Sequence, residues 1–364
     1  MTESWPVSEG VPGEGQSSAA PTATAFAPLL WLRDESGDHP ITTAGQWQER
    51  RAATVRLITD LLGGLPDPPG PGSGRRVEPV RLGEWADSWR ILYQGEPGEE
   101  IPAYLLVPRE LSAPAPAVVA VHGTSPYGKD TVAGPGQARR YAQYLVEHGM
   151  VVLAPDVLAM GERIAPGRRY VDTTAFYARH PQWSMYGKIV FDLRRAIDYL
   201  YTLEFVDKQR VGIMGHSLGG HSSFLTAALE PRVAACGASC GVYPWVLPRL
   251  AFEWSRPRPE RWIYLPKLRD YLVTRKPPPV DMHEILALIA PRPFYNQSAD
   301  EAIPEMPAML AEIEARVAEV YRLLGAADRL RFESRQGAHD FPAPLQREMC
   351  AWMAAQLTPG DAPC

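Results

Sequence analysis

Apolar positions change rhythm three times along this chain. In the first two dozen residues large apolar side chains are sparse among Ser, Pro, Gly, Thr and Ala, too few to offset the entropy of ordering, so residues 1–24 are expected to form a disordered tail. From Thr43 to Gly63, Trp47, Ala53, Val55, Ile58, Leu61 and Leu62 recur at helical spacing. Residues 25–75 therefore read as a helical extension packing on the main body, with PDPPGPGSG at 66–74 as an extended connector. Period-two alternation at 77–82, 88–93 and 101–107 predicts an antiparallel start to a sheet.

Continuous apolar runs then alternate with helical patterns. Strands are predicted at 117–121, 151–155, 210–214, 233–239, 292–296 and 330–333, and helices at 137–148, 186–203, directly after 217, at 307–324 and at 344–356. This alternation implies an α/β domain over 76–364: a mostly parallel central sheet flanked by helices, with ligands bound at the carboxyl ends of the strands. An excursion over about 242–280 is longer than a plain connector and is expected to form a cap insertion.

Charge and composition narrow the function classes. The net charge of −5 argues against nucleic acid or an anionic membrane as partner. Acidic residues stand where a signal peptide needs a basic and then an apolar run, and no uninterrupted apolar run reaches about 18 residues, so a cytoplasmic protein is expected. Cys236, Cys240, Cys350 and Cys364 show no zinc spacing and are read as reduced. The excursion holds eight Lys or Arg against three acids, together with Trp245, Phe252, Trp254, Trp262, Tyr264 and Tyr271. A basic, aromatic cap suits a bulky anionic substrate; a solvated basic face over an aromatic core is the plainer alternative.

The chemistry centres on VGIMGHSLGGH at 211–221. A strand meets a sharp turn and then a helix, and Ser217 stands at the apex with a glycine two residues to either side, the arrangement of a nucleophile elbow. A serine needs a base, and only His283 and His339 follow the elbow helix. His339 lies in a loop between a strand and the last helix and is the expected base; His283, in DMHEILALIA, reads as a helix-surface or cap residue. The orienting acid is expected after the strand at 292–296, where Asp300 and Glu301 both qualify and the shorter Asp300 is preferred. Oxyanion donors are expected from the amides of Leu218 and Thr124, with Gly123 allowing close approach of the backbone to substrate. His122 and His216 are expected to line the site or to bond neighbouring loops, and Trp245 is expected around the substrate. His216 and His221 lack the partners of a metal set, and Gly212, Gly215 and Gly219 do not make a dinucleotide fingerprint, so no metal and no cofactor is expected.

VHGTSPYGKD (121–130), VVLAPDVLAMGER (151–163), WSMYGKIVFDLRRAIDYL (183–200), RVGIMGHSLGGHSSFLTAALEPRV (210–233) and APRPFYNQSADEAIP (290–304) together resemble an α/β-hydrolase of the dienelactone hydrolase and acetyl xylan esterase-like group. The resemblance implies a Ser217, Asp300, His339 triad and ester hydrolysis, with Asp156, Glu162, Trp183 and Met185 around the pocket or, equally, as packing or loop-tethering residues. Dienelactone hydrolases proper use a cysteine nucleophile on a compact chain, so the substrate does not carry over. The expectation is a serine esterase acting through an acyl-enzyme on a small-molecule ester or lactone, its oligomeric state open, a homodimer included. An acyltransferase or cyclase, or a thioester or amide hydrolase, could use the same triad; a non-catalytic binding protein on this fold is the rival from another class.

Overall fold

The computed structural model describes residues 26–34, 37–67, 70–111, 113–136, 139–256, 263–299, 302–358. The expected tail at 1–24 and the two acid candidates, Asp300 and Glu301, lie outside the described residues. A short hairpin, β1 (Trp31–Asp34) and β2 (Gly37–Pro40), precedes α1 (Ala44–Leu61). Thr43 caps α1 by accepting from the Gln46 amide while the Gln46 side chain reaches back to the cap, a capping box. Strands β3 (Gly74–Pro79), β4 (Asp87–Gln94), β5 (Glu100–Val107) and β6 (Ala115–Val121) follow. Next come α2 (Asp130–Ala133), α3 (Tyr141–Glu147), β7 (Val151–Pro155), α4 (Thr174–Arg179), α5 (Met185–Leu200), β8 (Val206–His216), α6 (Leu218–Leu229) and β9 (Ala235–Ser239). The remainder is α7 (Pro248–Ser255), α8 (Leu268–Thr274), α9 (Met282–Ala287), β10 (Phe294–Ser298), α10 (Met306–Leu323), β11 (Leu330–Ser334) and α11 (Ala343–Leu357).

Nine strands form one sheet in the order β11-β10-β9-β8-β6-β7-β5-β4-β3. Pairings from β11 across to β7 are parallel, whereas β5 joins β7, and β4 and β3 extend it, antiparallel. The antiparallel start and parallel body follow the sequence pattern. The helix expected at 137–148 begins only at Tyr141, after the Gly134-Pro135-Gly136 break. Among the described residues no helix is long and apolar enough to cross a membrane.

Alternation along the strands divides the interior into two layers. Ala117, Val119, Val121, Val211 and Ile213 face the larger core shared with α1, α5, α6, α9 and α10. Val118, Ala120, Val152, Ala154 and Met214 face the smaller one beneath α3 and α11. Because β6 has β7 on one side and β8 on the other, the chain reverses its winding there, which opens a crevice at the carboxyl ends of β6 and β8.

Helix α6 sits against that crevice with residues Leu218 to Ala228 all buried. Small residues make this possible: a Cβ at Gly219 would lie 2.0 Å from the Val121 carbonyl oxygen, and one at Gly215 would lie 2.5 Å from it. The hydroxyls of Ser222 and Ser223 donate to the carbonyls of Leu218 and Gly219, one turn back. Gly219→Ala must therefore push α6 off β6 and is expected to cost about 3 kcal/mol or more. Ser223→Ala, which loses one hydrogen bond inside the helix, is expected to cost only about 1 kcal/mol. Urea unfolding of the two variants beside wild type measures the contrast.

Candidate active site

Strand register decides which residues meet at the rim of the sheet. Val121 pairs with Gly215, Gly215 with Ala238, His216 with Ser239, Ser239 with Gln297 and Ser298 with Ser334. Segments leaving β6, β8, β9, β10 and β11 thus start side by side. Ser217 is held at φ 58°, ψ −122°, a conformation strained for a residue with a side chain. Its amide donates to the Ser239 carbonyl (2.8 Å) and its carbonyl accepts from His221 (3.0 Å), which pins the turn at both ends.

His339, carried 122 residues further on by the loop after β11, places Nε2 2.9 Å from the Ser217 hydroxyl oxygen. On the other side of the ring, Nδ1 lies 2.6 Å from the Tyr243 hydroxyl oxygen. Tyr243 belongs to the loop leaving β9, and nothing in the one-dimensional pattern marks it: a single half-buried tyrosine between a strand and a proline has no periodicity to read. Leu218 follows Ser217 as the first residue of α6, so its amide is one of those for which the helix itself offers no acceptor. Gly123 closes on the same point, since a Cβ built there would sit 3.6 Å from the Ser217 Cβ. Thr124 is the next residue and is half-buried.

His122 and His216 are placed under this rim and not along an open wall. His122 is fully buried, with Nδ1–H donating to the Gly123 carbonyl (2.6 Å) and Nε2 accepting from the Val157 amide (3.0 Å). Burial holds its pKa below the ordinary histidine value, consistent with the neutral form that this pairing needs. For His216, Nδ1–H donates to Ser239 Oγ (3.0 Å), which in turn donates to the Gln297 side-chain carbonyl (2.9 Å). Its pKa is also driven far down, first by burial and then by neighbouring Arg139. His122 thus bonds through both ring nitrogens and His216 through Nδ1, while His216 Nε2 is buried without a hydrogen-bond partner among the described residues.

Trp183, Met185 and Trp245 are buried. Trp183 packs edge-on against Phe191, and Trp245 against Trp254. Trp254, on α7 of the cap, stacks on Tyr186 of α5 (4.8 Å) and lies against His221 of α6 (4.6 Å). Trp254 thereby fastens the insertion to the body. His283 also differs from expectation: it is buried, with Nε2 3.2 Å from the Ala27 carbonyl, because α9 lies under the residues that precede α1.

Asp156, which is buried, and Glu162, which is exposed, belong to one ionic cluster beside the loop after β6. The Asp156 carboxylate accepts from the Lys129 amide (2.8 Å), the Lys129 ammonium (2.7 Å) and the Glu162 amide (3.0 Å). Glu162 accepts from the same ammonium (2.5 Å) and from Arg90. Gly128 (φ 53°) and Gly161 (φ 56°) allow this packing, as a Cβ on either would come within 2.1 Å of Asp156 Oδ1. The segment carrying Gly123 and Thr124 is thereby tied to the loop after β7. Arg163 extends the cluster to Glu99 (2.8 Å) and Asp192 (2.9 Å), and Lys188 bonds both of these carboxylates as well.

At Glu99, burial raises the pKa, but Arg163 and Lys188 outweigh it and bring the group from 4.5 down to about 2. Between these two values the unfolded chain binds a proton that the folded chain does not. The contribution is complete above pH 4.5 and is lost as pH falls toward 2. Urea-denaturation free energies are expected to fall more steeply over this window in wild type than in Glu99→Gln.

Comparison with known proteins places the site in context. The sequence model of the Dienelactone hydrolase family matches residues 101–253. YtaP of Bacillus subtilis (strain 168), named as a candidate hydrolase, is 27% identical over 318 residues, covering 84% of this chain and 100% of that protein. Carbohydrate esterase MZ0003, from an unknown prokaryotic organism, is 30% identical over 152 residues, 40% of this chain and 34% of that protein. Among solved structures, the glucuronoyl esterase from Solibacter usitatus superposes with a TM-score of 0.73 at 20% identity, covering 91% of this chain and 97% of that one. At that identity the likeness concerns the fold.

Proposed function

We propose that this chain, which matches the Dienelactone hydrolase family model over residues 101–253 and shares its fold with solved esterases, is a serine hydrolase that cleaves a carboxylic ester or lactone through an acyl-enzyme at Ser217. One observation carries this reading: a strained serine at the head of a buried helix with an imidazole nitrogen 2.9 Å from its oxygen. A strained turn is expensive, and a hydrogen-bonded base at its apex is what a nucleophile requires.

In this mechanism His339 Nε2 takes the Ser217 proton as the oxygen attacks the ester carbonyl, and the tetrahedral oxyanion forms beside the amides of Leu218 and Thr124. Collapse expels the alcohol, which receives the proton from Nε2. Water then repeats the sequence on the acyl-enzyme and frees the acid. Asp300 is the proposed carboxylate of the triad. It stands two residues beyond the end of β10, and β10 lies next to β11, whose following loop carries His339. Esters of sugars and formyl thioesters, as named for the relatives, are substrate classes to include in a first panel.

A fluorophosphonate probe is expected to label wild type and leave Ser217→Ala unlabelled, and Ser217→Ala is expected to lose roughly 10⁴-fold or more in kcat on any ester that wild type turns over. Labelling that persists in Ser217→Ala would remove the basis of the reading. For the acid, Asp300→Asn is expected to lower kcat by roughly 10³- to 10⁴-fold with the thermal midpoint retained. An unchanged rate would transfer the role to Glu301.

A further inference from the structure

The Tyr243 hydroxyl occupies the side of His339 from which a triad acid normally works, 2.6 Å from Nδ1. A phenol there can serve the imidazole in two ways. As acceptor of an Nδ1–H it leaves the Nε2 lone pair facing Ser217, the tautomer that a general base needs; as donor to a bare Nδ1 it puts the proton on Nε2 and blocks proton uptake.

The surroundings fix where this phenol stands. The Tyr243 ring is held edge-on against His221, centroids 5.4 Å apart and planes at 77°. Before it in the chain, the Cys240 amide donates to the Gln297 carbonyl (2.7 Å), and Gly241 lies so close to α6 that a Cβ would come within 2.8 Å of the Gly220 backbone. After it, the amides of Trp245 and Val246 both donate to the buried Asp281 carboxylate (2.9 and 2.6 Å), itself the cap of α9. With the segment pinned on both sides of Tyr243, the hydroxyl is a preorganised partner of the ring and not a mobile surface group.

We infer that Tyr243 is a positioning residue that selects the reactive tautomer of His339 by accepting its Nδ1 proton, alongside the carboxylate supplied by the loop after β10. The inference rests on the Ser217–His339 reading of the site. No proton leaves the tyrosine in the cycle: the serine proton goes to Nε2 and then to the leaving alcohol, while the Nδ1 proton stays in place and the phenol oxygen faces it throughout.

Tyr243→Phe keeps the ring against His221 and removes only the hydroxyl. It is expected to lower kcat about tenfold, the effect of one lost hydrogen bond, with KM within about twofold of wild type. The acid limb of the kcat/KM profile is expected to move to lower pH, because an imidazolium without this acceptor loses its proton more readily. A purely structural role would not displace that limb. An unchanged kcat and profile, or a limb displaced to higher pH, which is the signature of a phenol donating to Nδ1, would overturn the inference. Nitrogen-15 spectra of the wild-type imidazole test the same point without any variant: the neutral ring is expected to carry its proton on Nδ1, and a proton on Nε2 overturns the assignment. Wild type that fails to react with a fluorophosphonate at Ser217 would sink both readings, whereas reactive wild type with an unaffected Tyr243→Phe would sink this one alone.

Discussion

Val121 and Gly215 face one another in the parallel pairing of β6 with β8, and two residues beyond them on each strand stand Gly123 and Ser217. Everything at the rim depends on that register. Side chains alternate faces along a strand, so a slip of one residue would send the Ser217 side of β8 to the opposite layer and separate it from the loop of β6. The two-layer core enforces the register: Val119, Val121, Val211 and Ile213 must face the α5 and α6 side, and Met214 with Ala120 must face α11. Apolar burial at roughly 25 cal/mol per Å² makes the alternative pairing costly at every position at once. The strained φ of Ser217 persists inside this frame because both of its backbone groups are bonded and α6 has nowhere to move.

A second layer of order is polar. Beneath the serine, the His216–Ser239–Gln297 chain links β8, β9 and β10 just where these strands end. Beside the loop after β6, Lys129 and Asp156 form an ion pair with side chains 3% and 0% exposed. Such a pair adds little net stability over apolar packing, yet breaking it strands a buried charge at a cost of several kcal/mol. Its effect is to permit one loop arrangement and penalise others. The positive-φ glycines at 128 and 161 show that the backbone is shaped around the carboxylate.

Much of this architecture is legible in the chain. Continuous apolar runs bounded by Gly or Pro, such as Val151–Pro155 after Gly149, leave little freedom in where a buried strand lies. The elbow is legible because the glycine spacing around Ser217 answers a local steric demand. His339 could be chosen because few histidines follow the elbow. What stayed hidden depends on distance along the chain. The β1–β2 hairpin has neither alternation nor an apolar run, and His283 is buried by residues 256 positions earlier. Tyr243 meets His339 across 96 residues, through a loop held by a carboxylate whose role a single sequence does not reveal. Trp183 and Trp245, expected around the pocket, pack edge-on against Phe191 and Trp254, and composition does not separate such packing from ligand contact.

The crowding of α6 against β6 has a further consequence. With backbone touching backbone at Gly215, Gly219, Gly220 and Gly241, the region around Ser217 has no spare volume for a larger side chain. The segment carrying α7 and α8, by contrast, meets the body through side chains, with the Trp254 ring on Tyr186 and His221 and the Trp245 and Val246 amides on the Asp281 carboxylate. A substitution there can be absorbed by repacking side chains, whereas any side chain added at the four glycines must displace backbone.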